Sequence, residues 1–480
     1  MNRRKFLRNS LLGAAAWSFS PSVKSQVLGA NDDIRIAVIG FNSRGVSHIE
    51  GFRKLKGVRV VALCDVDADV LESGAKQFRD RGEPIETYSD VRKLLENKDI
   101  DAIATATPNH WHALISIWAC QAGKDVYVEK PVSHNVREGR KIVEAARKYR
   151  RIVQTGTQSR SDVGLREAIQ WVQRGNLGKI LVARGLCYKP RKSIGKVSGP
   201  QAIPPNIDYD LWCGPAPKEP LLRKNLHYDW HWVWPTGSGD LGNQGIHQMD
   251  IARWALGRHE LSPKILSVGG RFGYQDDGQT PNTQFVIHDY GDALLIFEVR
   301  GLPHDKSLQT AESWNSKNMD LYRGQAVGHV IECEEGYLAG TTAFDSQGSV
   351  IKSFTGSSNH FENFIKAVRS RKITDLNADI LQGHLSSALC HTGNISHQLG
   401  RQAAPEVIRE RLKADKEGSE TWARFEAHLA ANGVDLKTTR PVFGEFLRMD
   451  PKKETFVRNK KANAMLTREY RPPFVVPEQV

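Results

Sequence analysis

Within GDLGNQGIHQMDIARWAL, Asn243, His247 and Asp250 stand four and three residues apart, a spacing that gathers side chains on one side of a helix. Such a trio has three uses. The imidazole could move a proton, because histidine changes charge near neutral pH. Joined by His110, His112 or His231, His247 and Asp250 could hold a metal. The third use is simple helix packing. The spacing is not HExxH and no cysteine lies close in sequence, so a metal is not expected. Proton transfer is the expected use. A second reactive group is Lys130 in VEKPVS. Pro131 after it favours extended backbone, so the lysine side chain can leave a strand end and enter a cleft. There its ammonium can hydrogen-bond a substrate hydroxyl, and a nearby positive charge would lower its pKa.

The elements that must carry these groups begin at IRIAVIG, Ile34 to Gly40, a β-branched run broken by FNSRG and followed by helical spacing of Ile49, Phe52 and Leu55. Gly40-x-Asn42-x-x-Gly45 is the dinucleotide fingerprint with its middle glycine replaced by asparagine, which tolerates left-handed backbone. The turn residues Gly40, Phe41, Asn42, Arg44 and Gly45 are therefore expected to hold a nucleotide, with the helix start offering N–H groups to its pyrophosphate. Asp65 ends the next apolar run, VRVVALCD. A carboxylate there can accept both ribose hydroxyls and would repel a 2′-phosphate, so NAD is expected over NADP.

The alternation continues through helices near Ala68 to Arg79 and, capped by Ser89, to Glu96. Strand DAIATATP, helix HALISIWACQAG, strand DVYVEKP, helix NVREGRKIVEAARKY and strand RIVQTG follow. Alternating units of this length make a doubly wound parallel sheet, which binds ligands beyond the carboxyl ends of its strands. Thr107, Asn109 and His112 at one strand end, and Glu129 and Lys130 at another, should face that crevice. Further on, SPKILSVGGRFG, TQFVIHDYGDALLIFEVRG, RGQAVGHVIECEEGYLAG and GSVIKSFTG read as short antiparallel strands. HFENFIKAVRS is a helix with Phe361, Phe364, Ile365 and Val368 on one face.

Taken together, GFNSRG, CDVD, ATPNHWH, VEKPVS and GNQGIHQMD resemble the Gfo/Idh/MocA oxidoreductases over roughly residues 34 to 400. The resemblance implies a Rossmann domain, here 31–155, then a larger α/β domain on an open, mainly antiparallel sheet, 156–400, leaving 401–480 as a C-terminal extension. It implies NAD(P) chemistry on sugars, polyols or their derivatives, and a homo-oligomer. The family carries an Asp-x-x-x-His pair whose histidine takes the substrate proton. His247 matches the histidine, but Asn243 stands at the aspartate position. An asparagine can orient the ring by hydrogen bonding, yet it cannot stabilise an imidazolium by charge. Lys130, His247 and Asn243 are the expected catalytic set. Arg160, Tyr188, His231 and Trp232 are candidate substrate contacts. The aromatics at 228, 230, 232 and 234 have the period of a strand, which would set all four on one face with His231 opposite.

Composition bounds the partners. The 480 residues carry a net charge of +13, of which Arg3, Arg4, Lys5, Arg8 and Lys24 supply five before any acid occurs, leaving +8 for residues 31–480. Seven basic residues against two glutamates between Lys452 and Arg471 lack the interleaved aromatics of an RNA reader, so nucleic acid is not an expected partner. Arg3-Arg4 before Phe6-Leu7 and a short apolar run resembles a twin-arginine export signal over residues 1–30. That run is shorter than the roughly 20 residues that span a bilayer. A periplasmic or exported protein without stable membrane insertion is expected. Six scattered cysteines without a CxxC suggest neither a disulfide framework nor a zinc ribbon. Since no free NAD pool exists outside the cytoplasm, an exported enzyme would keep its nucleotide. Two alternatives stay open: glycoside cleavage through transient oxidation, and a non-catalytic sugar-binding scaffold. Among NAD-dependent α-N-acetylgalactosaminidases, a YPTH signature corresponds to Trp234-Pro235-Thr236-Gly237 here.

Overall fold

The computed structural model describes residues 33–480. The expected twin-arginine signal, residues 1–30, lies outside the described residues.

Strands β1 (Ile34–Ile39), β2 (Val58–Cys64), β3 (Glu86–Tyr88), β4 (Ala102–Thr105), β5 (Asp125–Val128) and β6 (Val153–Thr155) form a parallel sheet in the order β3-β2-β1-β4-β5-β6. The helices between them are α1 (Arg44–Arg53), α2 (Ala68–Arg79), α3 (Val91–Glu96), α4 (Asn109–Gln121) and α5 (Val136–Lys148). Local chemistry sets their starts. The Asp67 carboxylate accepts from the N–H groups of Asp69 and Val70 and caps α2. The cap of α3 is Asp90, which accepts from Arg92 N–H, rather than Ser89, because only Asp90 stands directly before the first helical turn. Helix α4 begins three residues earlier than HALIS suggests, since Pro108 caps it and Asn109 to His112 form its first turn.

Both faces of this sheet are covered. Leu114, Ile117, Ile142 and Ala145 of α4 and α5 fill one. Phe52 and Phe78 fill the other together with Phe364, Ile365 and Val368 from a helix far along the chain. That helix packs closely enough for a Cβ at Gly51 to meet the Phe361 ring at 2.5 Å.

The second domain contains α6 (Val163–Gln173), β7 (Ile180–Tyr188), α7 (Tyr209–Cys213), α8 (Gly239–Asn243) and α9 (Gly245–Ala255). Then come β8 (Lys264–Gly270), β9 (Thr283–Asp289), β10 (Leu294–Arg300), β11 (Val327–Cys333), β12 (Gly336–Ala339), β13 (Thr342–Asp345) and β14 (Val350–Ser353). Helices α10 (His360–Ser370) and α11 (Ile380–Leu399) follow. The large sheet runs β14-β13-β12-β11-β7-β10-β9-β8, antiparallel except for the β7–β10 pair. One face packs on α6, α9 and α11 through Ile169, Ile246, Met249 and Leu389.

Past residue 400 the chain adds β15 (Arg401–Gln402), α12 (Pro405–Leu412), α13 (Lys416–Ala431), β16 (Val442–Phe443), β17 (Leu447–Asp450) and β18 (Thr455–Phe456). Trp422, Phe425 and Leu429 of α13 cover Val182, Phe285 and Ile296 on the second face of the large sheet. The Pro-rich end packs on its own Rossmann domain, where Phe474 and Val476 join the α4–α5 core.

Candidate functional site

At the carboxyl end of β1 the chain must turn tightly. Gly40 has φ +73°, and a Cβ there would lie 2.9 Å from the Thr107 backbone. At Gly45 a Cβ would sit 2.1 Å from the Gly40 carbonyl oxygen, so glycine is required for α1 to start this close to the strand. Asp65 follows β2. Its carboxylate accepts from Phe41 N–H at 3.1 Å and Asp67 N–H at 3.1 Å, which aims it along the turn. Burial raises its pKa, opposed by those two N–H groups.

A cavity opens here. It runs from Asp65, Gly40, Asn42 and Arg44 past Thr107 and Trp111 to Asn243. These residues fit a dinucleotide on their geometry: a backbone stripped of Cβ atoms at the turn, a helix start beside it and an aimed carboxylate one strand away.

The cavity is roofed by the connection that carries the expected substrate contacts His231 and Trp232. Between β7 and α8 the chain crosses to the Rossmann domain and clasps Asp67. Asn206 Nδ2 donates to the Asp67 carboxylate at 2.8 Å, His227 Nε2 lies 3.0 Å from it, and Ala68 N–H donates to Asn206 O at 2.9 Å. Trp111 Nε1 donates to Leu211 O at 2.9 Å and holds the connection from below. Leu211, Trp212, Tyr228, Trp230 and His231 thereby line the cavity.

Several expected cofactor residues act from behind this surface. The Phe41 ring is buried and abuts Gly74, so only its N–H serves the site. Asn109 is buried and donates to Ser238 Oγ at 3.2 Å. His112 lies 2.7 Å from Thr107 O through Nε2 and 2.6 Å from Pro131 O through Nδ1, tying the two strand ends together. Glu129 is buried beneath, bound by Arg44 Nε at 2.8 Å and His48 Nε2 at 3.1 Å. Burial alone would raise the Glu129 carboxyl, but His48, Arg44 and Lys130 hold it well below the usual range.

At the far end Lys130 Nζ donates to the Asn243 backbone oxygen at 2.8 Å. Burial lowers its pKa, partly offset by Glu129. The helix expected across Asn243 and His247 is broken at Gln244, between α8 and α9. His247 Nδ1 is buried with no hydrogen-bond partner, so Asn243 does not orient the ring as expected. Burial and the Lys130 charge push His247 down to about 3, leaving a neutral imidazole at pH 7. His231 lines the cavity, stacked on Trp230 with ring centroids 3.6 Å apart.

The remaining substrate candidates lie elsewhere. Arg160 makes a buried two-point ion pair with Asp250, at 2.7 and 2.8 Å, and Ser386 Oγ donates to the same carboxylate at 2.6 Å. That bonding commits Asp250 and Arg160 to joining α9 with the segment before α6. Tyr188 is buried on the opposite face of the large sheet, its hydroxyl on Glu298 at 2.8 Å. Trp232 belongs to a 3-10 turn, Asp229–Trp232, rather than a strand, so the alternation of aromatics does not put them on one face. Its ring is buried under Arg191. Sequence reasoning missed Lys189 and the Arg191–Asp240 pair, because neither lies in a recognisable spacing. Lys189 Nζ donates to Gln244 Oε1 at 2.9 Å, and Arg191 grips Asp240 with two bonds of 2.6 Å.

Comparison with known proteins agrees with this geometry. Residues 34–157 match the Gfo/Idh/MocA model for an oxidoreductase family with an NAD-binding Rossmann fold, and residues 170–317 match its C-terminal alpha/beta domain. Inositol 2-dehydrogenase/D-chiro-inositol 3-dehydrogenase of Lacticaseibacillus casei is 23% identical over 329 residues, 65% of this chain and 90% of that protein. A glycosyl hydrolase family 109 protein of Shewanella pealeana is 32% identical over 171 residues, 30% of this chain and only 37% of that protein. Among solved structures, the WlbA dehydrogenase of Bordetella pertussis in complex with NADH and UDP-GlcNAcA aligns at TM-score 0.54 and 16% identity, covering 74% of this chain and 94% of that one. An oxidoreductase domain protein of Kribbella flavida aligns at TM-score 0.56 and 17% identity, covering 75% and 96%. With the nucleotide turn in the first matched segment and the His247 helix in the second, the chain belongs to the Gfo/Idh/MocA oxidoreductase family.

Proposed function

We propose that this chain is an exported, NAD-dependent oxidoreductase that acts on a hydroxyl or keto group of a sugar, polyol or glycoside and retains its nucleotide between turnovers. One observation carries the reading: a single roofed cavity has the glycine turn and Asp65 at one end and Asn243, with Lys130 bonded to it, at the other. NAD, when bound, supplies the hydride acceptor. Lys130 does the proton work. Its lowered pKa lets the amine take the proton of a substrate hydroxyl and the ammonium return it to a carbonyl. His247 stays neutral and can share a hydrogen bond with the reacting oxygen through its imidazole. Asn243 contributes its backbone oxygen, which fixes Lys130 Nζ. The inositol dehydrogenase relative supports a polyol or sugar substrate, and Asp65 supports NAD over NADP. Export rests on the Arg3-Arg4 pattern.

A second reading, glycoside cleavage through transient oxidation, is favoured by the similarity to family 109 proteins. The α-N-acetylgalactosaminidase signature does not fit here. At Gly237 a Cβ would lie 2.3 Å from the His231 carbonyl oxygen, so the histidine of that signature has no room.

The test starts from residues 31–480 purified without added cofactor, unfolded, with released nucleotide identified by mass. Near-stoichiometric NAD or NADH is expected, and glycosides are then screened by absorbance of the bound nucleotide, with aglycone release marking the second reading. Protein that is empty and also fails to bind added NAD would overturn the proposal.

A further inference from the structure

The charges around the catalytic end do not balance. Four cationic side chains meet there: Arg44, Lys130, Lys189 and Arg191. Glu129 and Asp240 are the carboxylates among them, and each is already held by an arginine, Glu129 by Arg44 at 2.8 Å and Asp240 by Arg191 at 2.6 Å. The two lysines have only neutral partners, the Asn243 backbone oxygen and the Gln244 side-chain amide. Among the described residues neither has a carboxylate within 4.0 Å. These partners are consecutive residues at the break before α9, so the two ammonium groups flank the start of that helix, whose dipole adds further positive potential. Partly buried cations are normally matched by a counter-charge. Among the described residues none is given to these two, and Asn243, which holds Lys130 and precedes the Gln244 that holds Lys189, lines the cavity.

We propose that the substrate is an anionic sugar, carrying a carboxylate or a sulfate or phosphate ester that docks against Lys189 while its reacting hydroxyl meets Lys130. This rests on the sugar oxidoreductase reading above and names its substrate class. Lys189 acts as a specificity residue: it places the anion without exchanging a proton. Gln244 holds the Lys189 ammonium, while the Arg191 guanidinium is taken up by Asp240.

The experiment titrates the NAD-loaded protein with matched methyl glycosides in the gluco, galacto and manno series: neutral hexosides, the uronides, and the 6-sulfates and 6-phosphates. Calorimetry reads affinity. At least one anionic member should bind on the order of tenfold more tightly than its neutral partner, the ratio expected of one charge-assisted contact. The three anionic arms identify which group is taken. In Lys189→Gln the ratio should collapse to within about threefold, and Lys189→Arg should restore part of it. Retained nucleotide, measured by mass, certifies that both variants are folded. A neutral glycoside that binds as tightly as every anionic analogue, or a preference that survives Lys189→Gln, overturns this inference and leaves the oxidoreductase reading intact. Failure of all glycosides, neutral and anionic, overturns both.

Discussion

At the residue scale, the site separates the groups that its sequence pattern joins. The spacing of Asn243 and His247 suggests an oriented imidazole base, but Nδ1 of His247 is without a partner and the ring stays neutral down to about pH 3. A base that weak is poorly matched to a sugar hydroxyl at neutral pH, whereas a lysine shifted below its ordinary 10.5 moves toward the working range. Lys130 is therefore the group to remove. Lys130→Met should lower the rate of substrate oxidation by about 10² to 10⁴, the usual worth of a positioned acid–base group, while the nucleotide found by mass is unchanged. In the unmodified protein kcat/KM for oxidation should rise with pH, since the neutral amine is the base. The rise should level off at a pH below 10.5 and vanish in the variant. Equal rates in both proteins would remove Lys130 from the chemistry, and no oxidation by either would favour the scaffold alternative.

Among the elements, the roofing connection between β7 and α8 has the largest functional consequence. It closes the adenosine end by bonding Asp67, the residue that also caps α2. A nucleotide bound there should leave along that side only when the clasp opens. The double change Asn206→Ala and His227→Ala removes two hydrogen bonds to a carboxylate, and should speed nucleotide loss by roughly tenfold or more per charge-assisted bond removed. Dilution into competing nucleotide, followed by fluorescence, measures this. An unchanged off-rate would mean that the connection does not gate release. The elements also show what could be read ahead. Strand, turn and helix around Gly40 are local, because glycine geometry and apolar periodicity act over a few residues, and Ala68–Arg79 appears with the bounds expected. Lys130 at its strand end is equally local. The fates of Arg160 and Tyr188 are not, because their partners Asp250 and Glu298 lie 90 and 110 residues away. The same holds for the aromatic run 228–234. Its alternation promises a strand, but the clasp on Asp67 bends it into a 3-10 turn whose Tyr228 has φ +64°.

On the scale of the whole molecule, the C-terminal extension acts as a strap across both domains, and Glu454 is its main anchor. Its carboxylate accepts from Arg140 of α5 at 2.5 and 3.1 Å and from His384 of α11 at 2.9 Å, so one side chain joins the Rossmann domain, the second domain and the extension. Burial would raise the Glu454 pKa, but His384 and Arg140 outweigh it and bring it from 4.5 to about 2. A depressed carboxyl contributes stability that is present above its unfolded pKa and lost as pH falls through the folded one. The window here runs from about pH 4.5 down to about 2. His384 adds to the same trend from higher pH, since burial lowers its pKa and the unfolded chain takes up the proton first. Two and a half units correspond to at most about 3.5 kcal/mol at about 1.4 kcal/mol per unit. Glu454→Gln should therefore lower the urea midpoint clearly at pH 7 and by progressively less toward pH 3, where the unmodified protein has begun to lose the same contribution. Parallel curves, with a constant gap between pH 7 and pH 3, would show that the anchor works through packing alone. The loss should also reach the site, because Arg468 and Arg471 of the same strap bond Pro235 O and Asp210 in the roofing connection at 2.8 Å each. A strap released at Glu454 loosens the roof that these arginines brace, so nucleotide retention in Glu454→Gln should fall together with the urea midpoint.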